Sequence, residues 1–95
     1  MAKGLGAITL QRVRAKNVRL FIKPWCGWCH EAVDWLDERG IAYQALDVSA
    51  DASARQEMRE LSGQTKAPVI DVDGKVLADF DTGQLETFWK QIEAA

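Results

Sequence analysis

Hydrophobic and polar positions alternate along this chain with two different periods, and the order of those periods predicts its elements. "VRLFI" at 18–22 is a short, mostly apolar run of β-branched and aromatic residues ended by Pro24. That pattern suits a buried strand. Next, Cys29, Val33 and Leu36 recur at i, i+4, i+7 with Ala32 beside them, a helical stripe that Gly40 terminates. "IAYQALDV" at 41–48 reads as a second strand. A helix joins the two strands, so they are expected to be parallel with a right-handed crossover. Ala54, Met58 and Leu61 mark another helix, closed by Gly63. In "PVIDVDGKVLADF" at 68–80, Asp73-Gly74 divides two short strands with a strong hairpin signal. Leu85, Phe88, Trp89 and Ile92 supply the apolar stripe of a last helix. The predicted order is β-α-β-α-β-β-α, an α/β fold with a four-stranded mixed central sheet flanked by helices. Residues 1–16 carry no firm pattern and are set apart as an N-terminal segment of unassigned structure, leaving 17–95 as the domain.

Size and charge narrow the function. At 95 residues the chain is expected to form one domain. A formal net charge of −2 implies no basic face for nucleic acid. Positive charge concentrates only at Lys3, Arg12, Arg14, Lys16 and Arg19, read as a solvated, loosely ordered stretch. No apolar run reaches the ~20 residues of a membrane span, and the start reads as mature chain without a signal peptide. The expected setting is therefore cytoplasmic, with no membrane partner.

The two cysteines, Cys26 and Cys29, stand two residues apart with His30 directly behind. Such a pair can form a reversible disulfide, hold part of a metal site, or attach haem through C-x-x-C-H. Haem wants an α-helical shell around a cavity, whereas here a strand runs straight into the motif. A structural zinc site wants four ligands, and the chain has three candidates with no second pair. The redox reading fits better. Cys26 falls in the strand-to-helix turn, where free backbone N–H groups and the helix dipole stabilise a thiolate, with Lys23 nearby. Cys26 is the expected nucleophile. Cys29 lies one turn inward on the apolar side, which keeps a thiol protonated and suits a resolving role. His30 is expected to be exposed in the first helical turn, where it could modulate thiol acidity.

The segments "FIKPWCGWC" and "RQEMRELSGQTKAPVI", in that order on this frame, resemble those of glutaredoxins, and the likeness covers about 18–92. The resemblance implies a thioredoxin fold with Pro68 in cis facing the cysteines. It implies a glutathione-dependent thiol–disulfide oxidoreductase acting on glutathionylated and disulfide-containing proteins. Lys23 and Gln64 would meet the glycine carboxylate of glutathione, and Ala67 would pair with its cysteine backbone. Trp28 would line the groove, and Asp81 and Thr82 would meet the γ-glutamyl end. Asp79 and Asp81 also read as hairpin-end and helix-capping residues. Trp25 is either packing or site. Gly27 stands where many members carry proline, and resembles members that share a [2Fe-2S] cluster between two chains through the nucleophilic cysteine and two glutathiones. The protein is expected to be monomeric, with a dimer only around such a cluster. The altered Ala78–Thr82 segment leaves a third expectation, a glutaredoxin-like electron donor reduced by thioredoxin reductase.

Overall fold

The computed structural model describes residues 17–94. Four strands and three helices follow in the predicted order: β1 (Val18–Ile22), α1 (Gly27–Glu38), β2 (Gln44–Asp47), α2 (Ala52–Ser62), β3 (Val69–Val72), β4 (Lys75–Ala78) and α3 (Thr82–Ala94). The sheet order is β2-β1-β3-β4. β1 and β2 are parallel, with Leu20 opposite Ala45, and β1 and β3 are antiparallel, with Leu20 opposite Ile70. β4 returns antiparallel to β3.

The central position of β1 explains why Leu20, Phe21 and Ile22 are apolar on successive residues. On one face, Val18 and Leu20 join Ile70 and Val72 against Ala32, Trp35 and Leu36 of α1 and Leu85 of α3. On the other, Phe21 and Val69 pack with Ala54 and Met58 of α2. Two helices thus cover one face and one covers the other, a three-layer α/β arrangement. This is the thioredoxin fold that the resemblance implied.

Local chemistry ends each element. α1 stops in a Schellman motif: Gly40, at φ 66, and Ile41 donate to the carbonyls of Asp37 (3.1 Å) and Leu36 (3.0 Å). Ile41 is still tied to the helix, which is why β2 begins at Gln44 and not at 41 as expected. Asp51 caps α2, its Oδ1 accepting from the N–H groups of Ser53 and Ala54. Asp73 and Gly74, both at positive φ, make the two-residue turn of the β3–β4 hairpin.

Two expectations need correction. Arg19 is not part of a loosely ordered basic stretch. It sits in β1, where Nη2 binds the buried Asp71 carboxylate at 2.8 Å and Nη1 binds Glu57 of α2 at 2.6 Å. Its guanidinium also lies over the Phe21 ring, 5.4 Å from the centroid. Hydrogen bonds to Asp71 and then Glu57 raise its pKa above the ordinary arginine value. Lys3, Arg12, Arg14 and Lys16 lie outside the described residues. Second, the buried stripe of α1 runs through Cys29, Ala32, Trp35 and Leu36, with Val33 only half-buried. Trp35 packs edge-on against Trp89 of α3 at 6.0 Å between centroids, and Arg39 covers its other side at 3.9 Å. Among the described residues no helix is long and apolar enough to cross a membrane.

Candidate active site

β1 delivers the chain to one end of the sheet at Lys23, and a tight turn follows. The Cys26 N–H donates to the Lys23 carbonyl at 3.2 Å. Cys26 is then the N-cap of α1, with extended backbone at φ −93 and ψ 116. Its sulfur does what a serine or aspartate oxygen does at most helix starts: Sγ accepts the Cys29 N–H at 3.2 Å. The Cys26 carbonyl accepts the His30 N–H, so Cys26 is held by the helix it caps. That sulfur faces the positive end of the α1 dipole. Both thiols are free, Cys26 partly exposed and Cys29 buried.

Cys29 is sealed in the core at 0% exposure. Burial pushes its thiol up to about 12, and its hydrogen bond with Cys26 adds to the effect. One cysteine is therefore accessible and set against helix N–H groups, while the other stays protonated and hidden.

A second segment closes the site. The Ala67–Pro68 peptide bond is cis, and the Ala67 carbonyl lies 3.7 Å from Cys26 Sγ across 41 residues of sequence. The preceding loop is braced by Gln64. Its Nε2 donates to Ser62 Oγ (3.0 Å) and the Lys66 carbonyl (3.1 Å), and its Oε1 accepts the Lys66 N–H (2.6 Å). Ser62 Oγ in turn donates to the Met58 carbonyl of α2 at 2.6 Å. Lys23 Nζ donates to the Thr65 carbonyl at 3.4 Å, joining the two segments. An ammonium has three donors, so two remain for a ligand.

The expected site residues fall into two groups. Cys26, Cys29, Lys23, Trp28, Ala67 and Pro68 lie around the turn that precedes α1 and the loop that faces it. Trp28 is 46% exposed and Trp25 is 73% exposed. Asp81 and Thr82 belong to the start of α3. They reach this end through Asp79, whose N–H donates to the Pro68 carbonyl at 2.8 Å. The Asp81 side chain is engaged in a capping box: Oδ1 accepts the Gln84 N–H at 2.8 Å, and Gln84 Oε1 accepts the Asp81 N–H at 3.0 Å. Its capping role is thus observed directly. Gln64 is likewise occupied, bracing its own loop with both ends of its amide.

His30 is exposed as expected, but its ring is turned to the turn and not to the sulfur. Nε2 donates to the Pro24 carbonyl at 2.6 Å. Ser62 was missed by sequence reasoning, because a serine at the end of a helix carries no signal for bracing a loop two residues on. Gly27 is the first residue of α1 without positive φ, and a Cβ there would meet nothing within 4 Å. Neither backbone nor packing demands glycine at that position.

Comparison with known proteins agrees with this geometry. The family model described as Glutaredoxin matches residues 18–77. Glutaredoxin 3 of Escherichia coli K12 is 34% identical over 65 residues, 68% of this chain and 78% of its own length. A glutaredoxin-like 8.6 kDa protein from the rubredoxin operon of Clostridium pasteurianum is 30% identical over 69 residues, covering 73% of this chain and 92% of that protein. Among solved structures, the thioredoxin-like protein BC3987 superposes with a TM-score of 0.69 at 27% identity, over 75% of this chain and 97% of that one. Thiol–disulfide oxidoreduction is the chemistry to which family and fold point. With a capping cysteine, a buried partner one turn on and a facing Ala-Pro segment, this chain belongs to the glutaredoxin family.

Proposed function

We propose that the protein is a glutathione-dependent dithiol oxidoreductase that reduces glutathione mixed disulfides and protein disulfides. The observation that carries the reading is the Cys29 N–H donated to Cys26 Sγ at the start of α1. It stabilises an anionic sulfur both as nucleophile and as leaving group. In the first step the Cys26 thiolate attacks the glutathionyl sulfur of R–S–S–G. A Cys26–glutathione disulfide forms, and R–S⁻ departs to take a proton from solvent. A second glutathione thiolate then attacks the glutathionyl sulfur, yielding oxidised glutathione and free Cys26. Alternatively Cys29 loses its proton and attacks Cys26 Sγ, releasing glutathione and closing the Cys26–Cys29 disulfide. On a protein disulfide the same two cysteines supply both electrons.

Glutathione would lie along the groove between the two segments. The free donors of Lys23 would take its glycine carboxylate, with Gln64 holding the loop beside it. The Ala67 backbone would pair with its cysteine, Trp28 would wall the groove, and Asp81 with Thr82 would stand at the γ-glutamyl end. The protein would act on glutathionylated partners as a monomer.

The test is turnover of a small-thiol glutathione mixed disulfide with glutathione and its reductase as electron source. Wild type and Cys29→Ser are expected to turn over, and Cys26→Ser is expected to be inactive. Full activity of Cys26→Ser would remove the nucleophile assignment. Turnover supported by thioredoxin reductase but not by glutathione would remove the assigned electron source.

A further inference from the structure

Among the described residues, the exposed large apolar side chains are Trp25 and Trp28, at 73% and 46%. An indole left in water forgoes the stabilisation of burial, and exposed aromatics of this kind mark interaction sites. Neither is needed for the core, which is filled by Trp35, Phe21 and Phe80. Both stand beside the reactive cysteines, Trp25 directly before Cys26 and Trp28 directly before Cys29. Between them Gly27 contributes no side chain, and even an added Cβ would find open space within 4 Å. Two exposed indoles thus flank Cys26 and Gly27 along the chain, with open space at Gly27 between them.

What could dock beside them follows from the facing segment. The Ala67 carbonyl lies 3.7 Å from Cys26 Sγ, and no backbone hydrogen bond to the Ala67 N–H occurs among the described residues. A partner chain that pairs with this backbone does so extended. With its cysteine turned to Cys26, the adjacent residues point away. The residue two positions along returns to the cysteine's face, about 7 Å from it. Glutathione has a single residue on either side of its cysteine, so it has nothing to place there.

We propose that Trp25, Gly27 and Trp28 form a docking surface for protein disulfides whose attacked cysteine carries a large apolar residue two positions away. The proposal rests on thiol exchange at Cys26 but not on glutathione as electron source. The chemistry is a stoichiometric exchange. The Cys26 thiolate forms a mixed disulfide with one peptide sulfur and expels the other as a thiolate. Cys29 then attacks Cys26 Sγ, so two peptide thiols form as the Cys26–Cys29 pair is oxidised.

The experiment mixes pre-reduced protein, without glutathione, with disulfide-linked peptide dimers. One peptide has leucine two residues before and two residues after cysteine, a second has serine at both positions, and a third has leucine directly before and after cysteine. Acid-quenched samples give the rate of peptide-thiol release. The wild type is expected to reduce the first peptide roughly tenfold faster than the second, the rate equivalent of half-burying a leucine side chain. The third is expected to match the second. In Trp25→Ala the ratio of first to second falls to about one, and Trp25→Phe restores part of it. Equal rates for all three peptides in wild type, or a ratio untouched by Trp25→Ala, would overturn the proposal. If no peptide is reduced, exchange at Cys26 fails as well. If the ratio holds while glutathione mixed disulfides are not turned over, the docking surface stands and the glutathione reading falls.

Discussion

Alkylation of the reduced protein by iodoacetamide tests the division of labour between the two thiols. The reagent consumes thiolate, so its rate reports ionisation and access together. Cys29 is 0% exposed and its thiol is pushed up to about 12, burial being the larger cause and the hydrogen bond with Cys26 the next. At pH 8 the thiolate fraction of such a group is about one in ten thousand. Intact-mass measurement at pH 8 is therefore expected to show one adduct forming quickly and then a halt. The second adduct should be at least about a thousandfold slower, appearing promptly only in denaturant. Fragment spectra should place the first adduct on Cys26. The pH dependence carries the sign. Because the value is raised, the second rate should keep climbing about tenfold per pH unit through pH 10, whereas an ordinary thiol levels off near 8.5. The same shift bears on stability. The unfolded chain ionises Cys29 from about 9 upward while the fold keeps it protonated, so the dithiol form loses stability as pH rises from about 9 toward 12. Two adducts forming at comparable rates in the native protein at pH 8, or a first adduct on Cys29, would refute the reasoning.

Two further perturbations probe the frame around the site. Asp81→Ala removes the acceptor of the Gln84 N–H and should cost about 1 kcal/mol, a melting shift of roughly 4–8 °C by circular dichroism. Asp81→Asn should keep the cap, so a change in its KM for glutathione would isolate the carboxylate's role in binding. Arg19→Met strips two N–H donors from Asp71, which is 7% exposed, and should destabilise by about 2–3 kcal/mol in urea titration. A loss under about 0.5 kcal/mol would show that the Gly74 N–H alone satisfies that carboxylate.

The elements were legible in the sequence wherever one residue type has one dominant use. Glycines at 40 and 63 and the Asp73-Gly74 pair mark positive φ, and all four take it. The run of 18–22 announced a buried strand, which the structure packs on both faces, and the stripe of α3 announced its core side. Residues with several uses were read less well. Arg19 looked like one more cation beside a basic segment, because nothing local reveals that Asp71 and Glu57 converge on it from 52 and 38 residues away. Trp35 sits off the i, i+4, i+7 series and was passed over, although an indole spans enough surface to join both helices. Cys26 and Cys29 were separable because a strand leading into a helix already fixes which one is at the mouth. The polar wall was harder. Gln64 and Asp81 each have a local backbone partner that satisfies them, and short-range hydrogen bonds of that kind leave no periodic trace.

The Cys26 turn is suspended from β1, which, like β3, has a neighbour on each edge and a helix layer on each face. Cys26 after β1 and the facing Ala67–Pro68 segment before β3 are thus both anchored to the doubly paired middle of the sheet. Catalytic competence and global folding consequently share one foundation. Damage to the sheet's middle should silence the chemistry at the same denaturant concentration at which the fold itself gives way, with no inactive-but-folded stage between.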